Sequence, residues 1–222
     1  MGRKYDLAIF DMDGTLTKCN SSWAFILNEF GKDNKEAYDA FVNGEIDEVE
    51  FMRRDIALWK EAKPDVSIRD IMKMIVHLPL VDGIQETVAA LHYNGIKCAI
   101  CSGGIDLAAK MIADEYNFDY YIADSLVHDE NGLLTGEGVQ NIDLRDKGSA
   151  AMKIIEQFGT KPERTITIGN SYGDIPMFKI SGMSIAFNPL DEEYTAASAD
   201  HVVRSENISE ILEFVFELQD GI

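Results

Sequence analysis

Asp11 and Asp13 stand one residue apart at the end of the apolar run Leu7-Ala8-Ile9-Phe10. Two carboxylates so placed are costly, because burial and mutual repulsion both disfavour their ionised forms. Something elsewhere in the chain is expected to offset that cost. Three later stretches offer suitable groups. Ser102-Gly103-Gly104 brings a hydroxyl beside glycine N–H groups. Lys147 brings an ammonium, and Asn170-Ser171-Tyr172-Gly173-Asp174 brings an amide and another carboxylate. A hard divalent cation takes oxygen ligands, and Mg²⁺ is commonly held by one or two carboxylates plus a phosphate. Such a cation, with Lys147, would balance the aspartates and also supply the positive charge a phosphoryl group requires. Phosphoryl transfer needs an in-line nucleophile and compensated charge on the equatorial oxygens. An aspartate is a competent nucleophile, forming an aspartyl-phosphate.

These groups converge only if the chain places them on one rim. Tyr5 to Phe10 reads as a short buried strand. From about Ser21 to His77 the apolar spacing is helical: Trp23, Phe25, Ile26, Leu27 and Phe30, then Phe51, Met52, Ile56 and Trp59. Ser67 with Asp70 three residues on signals a capping box. After Pro79, strand and helix patterns alternate, which predicts a mostly parallel sheet covered by helices on both faces. "IKCAICSGG" reads as a strand running into a glycine turn, and "SLVHDENGLLTGEG" as a hairpin turning at Asn131-Gly132. "RTITIG", "MSIAF" and "HVV" read as further strands, and "SEILEFVFEL" as a terminal helix. Ligands in such sheets bind at the carboxyl ends of the strands. Each of the chemical groups above follows a strand or, for Lys147, opens a helix.

The chain has 222 residues and a formal net charge of −19. That surface repels nucleic acid and anionic membranes, so neither is an expected partner. No apolar run reaches the roughly 18 residues of a membrane span, and Met1-Gly2-Arg3-Lys4 lacks a following apolar segment, so no secretory signal is read. Cys19, Cys98 and Cys101 form an odd, small set, which points to a reducing, cytoplasmic setting. Cys98 and Cys101 sit three apart on a predicted strand, hence on opposite faces, which argues against a shared bond or metal and for plain core packing.

"DMDGTLT", "SGG", Lys147 and "GNSYGDIPMF" resemble, in order and spacing, the four motifs of the haloacid dehalogenase superfamily of phosphatases, and most of all phosphoserine phosphatases. The resemblance extends over almost the whole chain. It implies a three-layer, Rossmann-like α/β core over residues 1–17 and 81–222, and a small helical cap inserted over residues 18–80. It also implies roles. Asp11 is the nucleophile, and Asp13 the general acid and then base, with its carbonyl on Mg²⁺. Ser102, with the N–H groups of Gly103 and Gly104, holds the phosphoryl oxygens, and Lys147 balances charge. Asp11, Asp13, Asn170 and Asp174 hold the metal. The substrate would be a small phosphorylated metabolite, and the chain a monomer or homodimer.

The chain departs from that pattern in two places. The family carries an aspartate where Asn170 stands, which keeps an oxygen ligand but loses a charge, so weaker Mg²⁺ binding is expected. Phosphoserine phosphatases clamp their substrate with a glutamate and a cap arginine, and an ungapped match puts Asn20 and Asp55 there. Arg53 and Arg54 lie beside Asp55, about 100° apart on a helix, so one of them is expected to face the site. Competing readings are a phosphate-binding regulator without turnover and a phosphotransferase. Arg53 and Arg54 also read as a charged helix face, Tyr172 as packing, and Trp23 and Trp59 as the interior of the inserted helices.

Overall fold

A computed structural model describes residues 4–216. The first strand, β1 (Leu7–Phe10), is followed by four helices: α1 (Ser22–Glu29), α2 (Lys35–Val42), α3 (Glu48–Ala62) and α4 (Ile68–Ile75). Then come α5 (Ile84–Tyr93), β2 (Lys97–Ile105), α6 (Asp106–Tyr116), β3 (Tyr120–His128) and β4 (Leu134–Val139). The chain continues through α7 (Lys147–Gln157), β5 (Thr165–Gly169), α8 (Ile175–Phe178), β6 (Met183–Phe187), β7 (His201–Val203) and α9 (Leu212–Val215).

The seven strands form one sheet in the order β4-β3-β2-β1-β5-β6-β7. All neighbours are parallel except the β3–β4 hairpin. β1 is central and all four of its residues are buried, which is why it reads as an unbroken apolar run rather than an alternating one. Alternate residues enter two separate apolar layers. Leu7 and Ile9 join Ala151, Ile154 and Phe178 on one face, and Ala8 and Phe10 join Leu91, Ile112 and Phe118 on the other. Cys98 and Cys101 fall in different layers, as their spacing requires. Both thiols are free, and burial pushes them up, Cys101 to about 12.

Phe10 pairs with Ile100 on one side and Ile168 on the other. The next residue of each strand therefore emerges at the same level, and the Asp11 N–H still donates to the Ile168 carbonyl at 2.8 Å. The sheet order reverses here, with β2 to one side of β1 and β5 to the other, which opens the crevice in which such sheets bind ligands.

The inserted helices leave and rejoin the sheet through paired linkers. The Lys18 N–H donates to the Pro79 carbonyl at 2.7 Å, Thr17 bridges Leu80, and the Val81 N–H donates to the Leu16 carbonyl at 3.0 Å. Trp23 and Trp59 stack at 5.4 Å inside the insertion, and the Ser67–Asp70 capping box is present at α4.

Three readings of the sequence are corrected. Ser102-Gly103-Gly104 is not a turn, since it lies within β2, whose register against β3 shifts between Cys101 and Ile105. The expected first arm of the hairpin is the continuation of β3. The expected terminal helix opens as a 3₁₀ turn at Ile208–Ile211 before α9, and its last expected residues, 217 and 218, lie outside the described residues.

Candidate active site

Lys147 is the first residue of α7, whose N-terminus is capped by the Asp146 side chain. That placement sends its ammonium between two buried carboxylates, donating to Asp11 Oδ1 at 2.7 Å and to Asp174 Oδ1 at 2.6 Å. The repulsion between the aspartates is therefore met, at least in part, by a protein cation. Burial pulls the Lys147 ammonium down, but Asp11 and Asp174 outweigh it and the net shift is upward. Burial, reinforced by Asp174, raises Asp11 to about 7 against the pull of Lys147.

Asp174 sits in a 3₁₀ turn, Tyr172–Asp174, directly after β5. Its Oδ2 accepts from the Asn170 N–H and the Ser171 N–H, each at 2.9 Å, and from Ser171 Oγ at 3.0 Å. Both oxygens of Asp174 are thus occupied by protein donors. It fixes Lys147 and the turn that carries Asn170.

Asp13 is held by a residue the sequence reading did not single out. Ser22 donates to Asp13 Oδ2 from its N–H at 2.8 Å and from Oγ at 2.9 Å, and Ser22 Oγ accepts from the Ile105 N–H at 2.9 Å. Ser22 thus ties the first turn of α1 to both Asp13 and β2. Its signal was a serine pair, Ser21-Ser22, opening a helix soon after the paired aspartates, with Ser21 as the N-cap. Burial raises Asp13 to about 6, although both Ser22 bonds pull the other way.

The β2 irregularity has a steric cause. A Cβ at Gly104 would lie 2.4 Å from Met12 Cε and 2.6 Å from Asp13 Oδ2, so only glycine lets the Asp13 loop approach. The Gly104 N–H donates to Ser102 Oγ at 3.2 Å, and the Gly103 carbonyl accepts from Trp23 Nε1 at 3.1 Å. Gly14 adopts φ +77°, and a Cβ there would strike the Asn170 and Asn20 side chains. Asn20 is therefore at the rim, beside the Asp13–Thr15 turn.

The arginines behave differently from expectation. Arg53 donates to Glu137 from Nε at 3.1 Å and from Nη2 at 2.8 Å, and its Nη1 reaches Glu50 at 2.9 Å. Arg54 Nε donates to Glu50 at 2.9 Å. Both are committed to glutamates, and neither is bonded to Asp11 or Asp13. A chain with 39 acidic residues against 20 basic ones readily captures its arginines in this way. Asp55 is buried inside the insertion, bonded by Asn34 Nδ2 and raised by burial to about 6. Tyr172 is exposed rather than packed, with Tyr194 edge-on at 6.2 Å.

The oxygens at the rim suit a hard cation in part. Among the described residues no three His, Cys, Asp or Glu side chains are grouped to hold one. Buried oxygens without partners do occur at the rim, however: Asp13 Oδ1, Thr15 Oγ1 and Asn170 Oδ1. A buried polar atom left unpaired is costly. A mixed carboxylate and amide set of hard oxygens fits Mg²⁺, with Asn170 in place of a third carboxylate.

A model of haloacid dehalogenase-like hydrolases matches residues 8–179, from β1 to just past α8. The chain belongs to that family. It is a hydrolase of the phosphatase type, in keeping with its relatives. It is 32% identical to the phosphoserine phosphatase of Methanocaldococcus jannaschii over 97% of this chain and all of that protein. It is 30% identical to the phosphoserine phosphatase of Idiomarina loihiensis over 93% of this chain and 91% of that one. A substrate-bound phosphoserine phosphatase superimposes with a TM-score of 0.80 at 28% identity, over 96% of this chain and 99% of the other. A phosphoaspartyl-intermediate analogue of a phosphoserine phosphatase gives 0.79 at 29%, over 95% and 99%.

Proposed function

We propose that this chain is a Mg²⁺-dependent phosphomonoesterase that removes phosphate from a small metabolite through an aspartyl-phosphate on Asp11. The observation that carries the reading is the Lys147 ammonium set between Asp11 and Asp174, with Asp13 held beside them by Ser22. In the first half-reaction an Asp11 oxygen attacks phosphorus, and the ester oxygen departs with the proton of Asp13. Ser102 Oγ and the Gly103 N–H would hold the phosphoryl oxygens, with the Gly104 N–H already given to Ser102 Oγ, and Lys147 would offset their charge as the carboxylate of Asp11 is consumed. In the second half-reaction Asp13, now ionised, takes a proton from water. That water attacks phosphorus and restores the Asp11 carboxylate. A carboxyl raised to about 6 is matched to a group that must give and take a proton near neutrality. Asp11, the Asp13 carbonyl and Asn170 Oδ1 would hold Mg²⁺, with Asp174 keeping the Asn170 turn in place. The ion, when bound, supplies positive charge to the transferred group.

Residues 18–80 act in this reading as a cap on a core of residues 1–17 and 81–222. The paired linkers at Thr17 and Leu80 form its hinge, and closure excludes water during transfer. The free cysteines support a cytoplasmic setting. The loss of a carboxylate at Asn170 supports a second reading, a phosphate-ligand sensor with little turnover. Phosphate release from p-nitrophenyl phosphate with and without Mg²⁺ separates the two. The phosphatase predicts Mg²⁺-dependent release that disappears in Asp11→Asn. Thermal stabilisation by phosphate without release would favour the sensor.

A further inference from the structure

Glu48 opens α3 and is 7% exposed, a buried carboxylate at the seam between the inserted helices and the loop leading to α7. Its Oε2 accepts from Gln140 Nε2 at 2.6 Å and from the Leu144 N–H at 3.3 Å, while Oε1 is buried without a partner. Leu144 connects this carboxylate to the rim. A Cβ at Gly103 would lie 2.4 Å from Leu144 Cδ2, and one at Gly173 would lie 3.3 Å from the Leu144 carbonyl. Glu48 therefore stands on the insertion rather than on the sheet, with Leu144 between it and Gly103 of β2. Burial pushes its carboxyl up to about 7 against the pull of the Leu144 N–H, and among the charged groups around it Asp124 and Asp143 disfavour its ionised form while Arg145 favours it. Arg145 is exposed, and its guanidinium lies over the Phe41 ring at 5.6 Å. No basic side chain makes a direct bond to Glu48 among the described residues.

We propose that Glu48 is a specificity-determining residue whose unpartnered Oε1 receives a cationic group on the leaving alcohol, so that the favoured substrates are phosphomonoesters of amino alcohols lacking a carboxylate. The inference rests on the phosphatase reading above and names its substrate class. A buried carboxylate oxygen without a donor is destabilising, and an ammonium arriving with the substrate satisfies it. A carboxylate on the substrate would instead meet Glu48 as a like charge. The two nearby cationic side chains of α3 do not relieve that repulsion, because Arg53 and Arg54 are bound to Glu137 and Glu50. The residue next to them, Asp55, is itself acidic and buried.

Steady-state kinetics test the proposal on the intact protein with Mg²⁺, at mildly alkaline pH where Glu48 is ionised. O-phosphoethanolamine carries the cation, phosphoglycolate a carboxylate, O-phosphoserine both, and p-nitrophenyl phosphate neither. The near-isosteric Glu48→Gln removes the charge and keeps an oxygen for the Leu144 N–H. O-phosphoethanolamine is expected to be the best of the four by kcat/KM and phosphoglycolate the worst. Glu48→Gln should lower kcat/KM for O-phosphoethanolamine by about 30-fold or more, mostly through KM, as loss of one partner of a buried charge pair does. The same change should leave p-nitrophenyl phosphate within about threefold, since that substrate has no group for Glu48. If p-nitrophenyl phosphate is hydrolysed but phosphoglycolate matches O-phosphoethanolamine, the specificity assignment fails and the phosphatase reading stands. An equal loss on all four substrates in Glu48→Gln would likewise overturn it, in favour of a purely structural carboxylate. Absence of any hydrolysis, p-nitrophenyl phosphate included, overturns the phosphatase reading and this inference with it.

Discussion

The bridge from Lys147 to Asp11 and Asp174 is the residue-scale fact that explains why an apolar strand ends in carboxylates. All three side chains are buried, so their interaction is little screened and their desolvation is heavy. Removing the cation alone is therefore severe. Lys147→Met is expected to cost about 3–5 kcal/mol of stability by leaving buried carboxylates unbalanced. The deficit should grow with pH, because unbalanced carboxylates bind protons more tightly in the folded chain than in the unfolded one. Denaturant titrations at acidic and alkaline pH measure both effects. Ser22 allows a sharper test. Its two bonds pull Asp13 down from where burial alone would put it, so Ser22→Ala should raise the carboxyl further. Asp13 then keeps its proton to higher pH, and the alkaline limb of kcat/KM for an alkyl phosphate should move upward. A limb that stays in place, or moves down, would remove Asp13 from the role of proton donor. The convergence of Asp11, Lys147 and Asp174 was legible from residue type and from position after a strand or, for Lys147, at a helix start. Ser22 was not, because a serine in the first turn of a helix is ordinary and its contacts to Asp13 and Ile105 are set only by folding. The pairing of Arg53 with Glu137 was hidden for a similar reason: 84 residues separate them.

At the scale of elements, the apolar runs and glycine punctuation located nearly every strand and helix, since buried parallel strands and helices with apolar stripes leave distinct periodicities. The misreading at Ser102-Gly103-Gly104 has a specific cause. Two glycines signal a turn locally, but here they keep a bulged strand open to Met12, Asp13 and Leu144. A second element-scale feature is Asp119, just before β3. It accepts from the Cys98 N–H at 2.9 Å and from Lys97 Nζ at 2.6 Å, and it pairs with His92 of α5 at 2.8 Å. Burial pushes its carboxyl up, but these partners prevail and hold it below the usual carboxylate range. A carboxyl lowered on folding contributes stability above its unfolded value, near 3.9, and that stability is lost as pH falls through the folded value. Asp119→Asn is thus expected to cost about 1–2 kcal/mol at neutral pH, with the gap to the native chain closing in acid below about pH 4. Thermal or urea unfolding of both proteins across that range checks the sign.

At the scale of the molecule, a strongly acidic chain buries one cation, Lys147, between two carboxylates at the rim and pairs many of its other cations with surface aspartates and glutamates. Composition foretold the acidic surface, and the alternation of strand and helix patterns foretold the sheet architecture. It did not foretell how the insertion meets the core, because Glu48 with Leu144, and Trp23 with Gly103, are contacts between distant segments. Covalent phosphorylation of Asp11 is the central claim, and rapid acid quenching tests it directly. The protein is mixed with Mg²⁺ and p-nitrophenyl phosphate, quenched during turnover, and the peptide containing Asp11 is weighed by mass spectrometry. The account predicts a fraction of that peptide heavier by one phosphoryl group, located on Asp11 and absent from Asp11→Asn. An enzyme that releases phosphate while Asp11 stays unmodified at every quench time, or an Asp11→Asn variant that retains turnover, would contradict it.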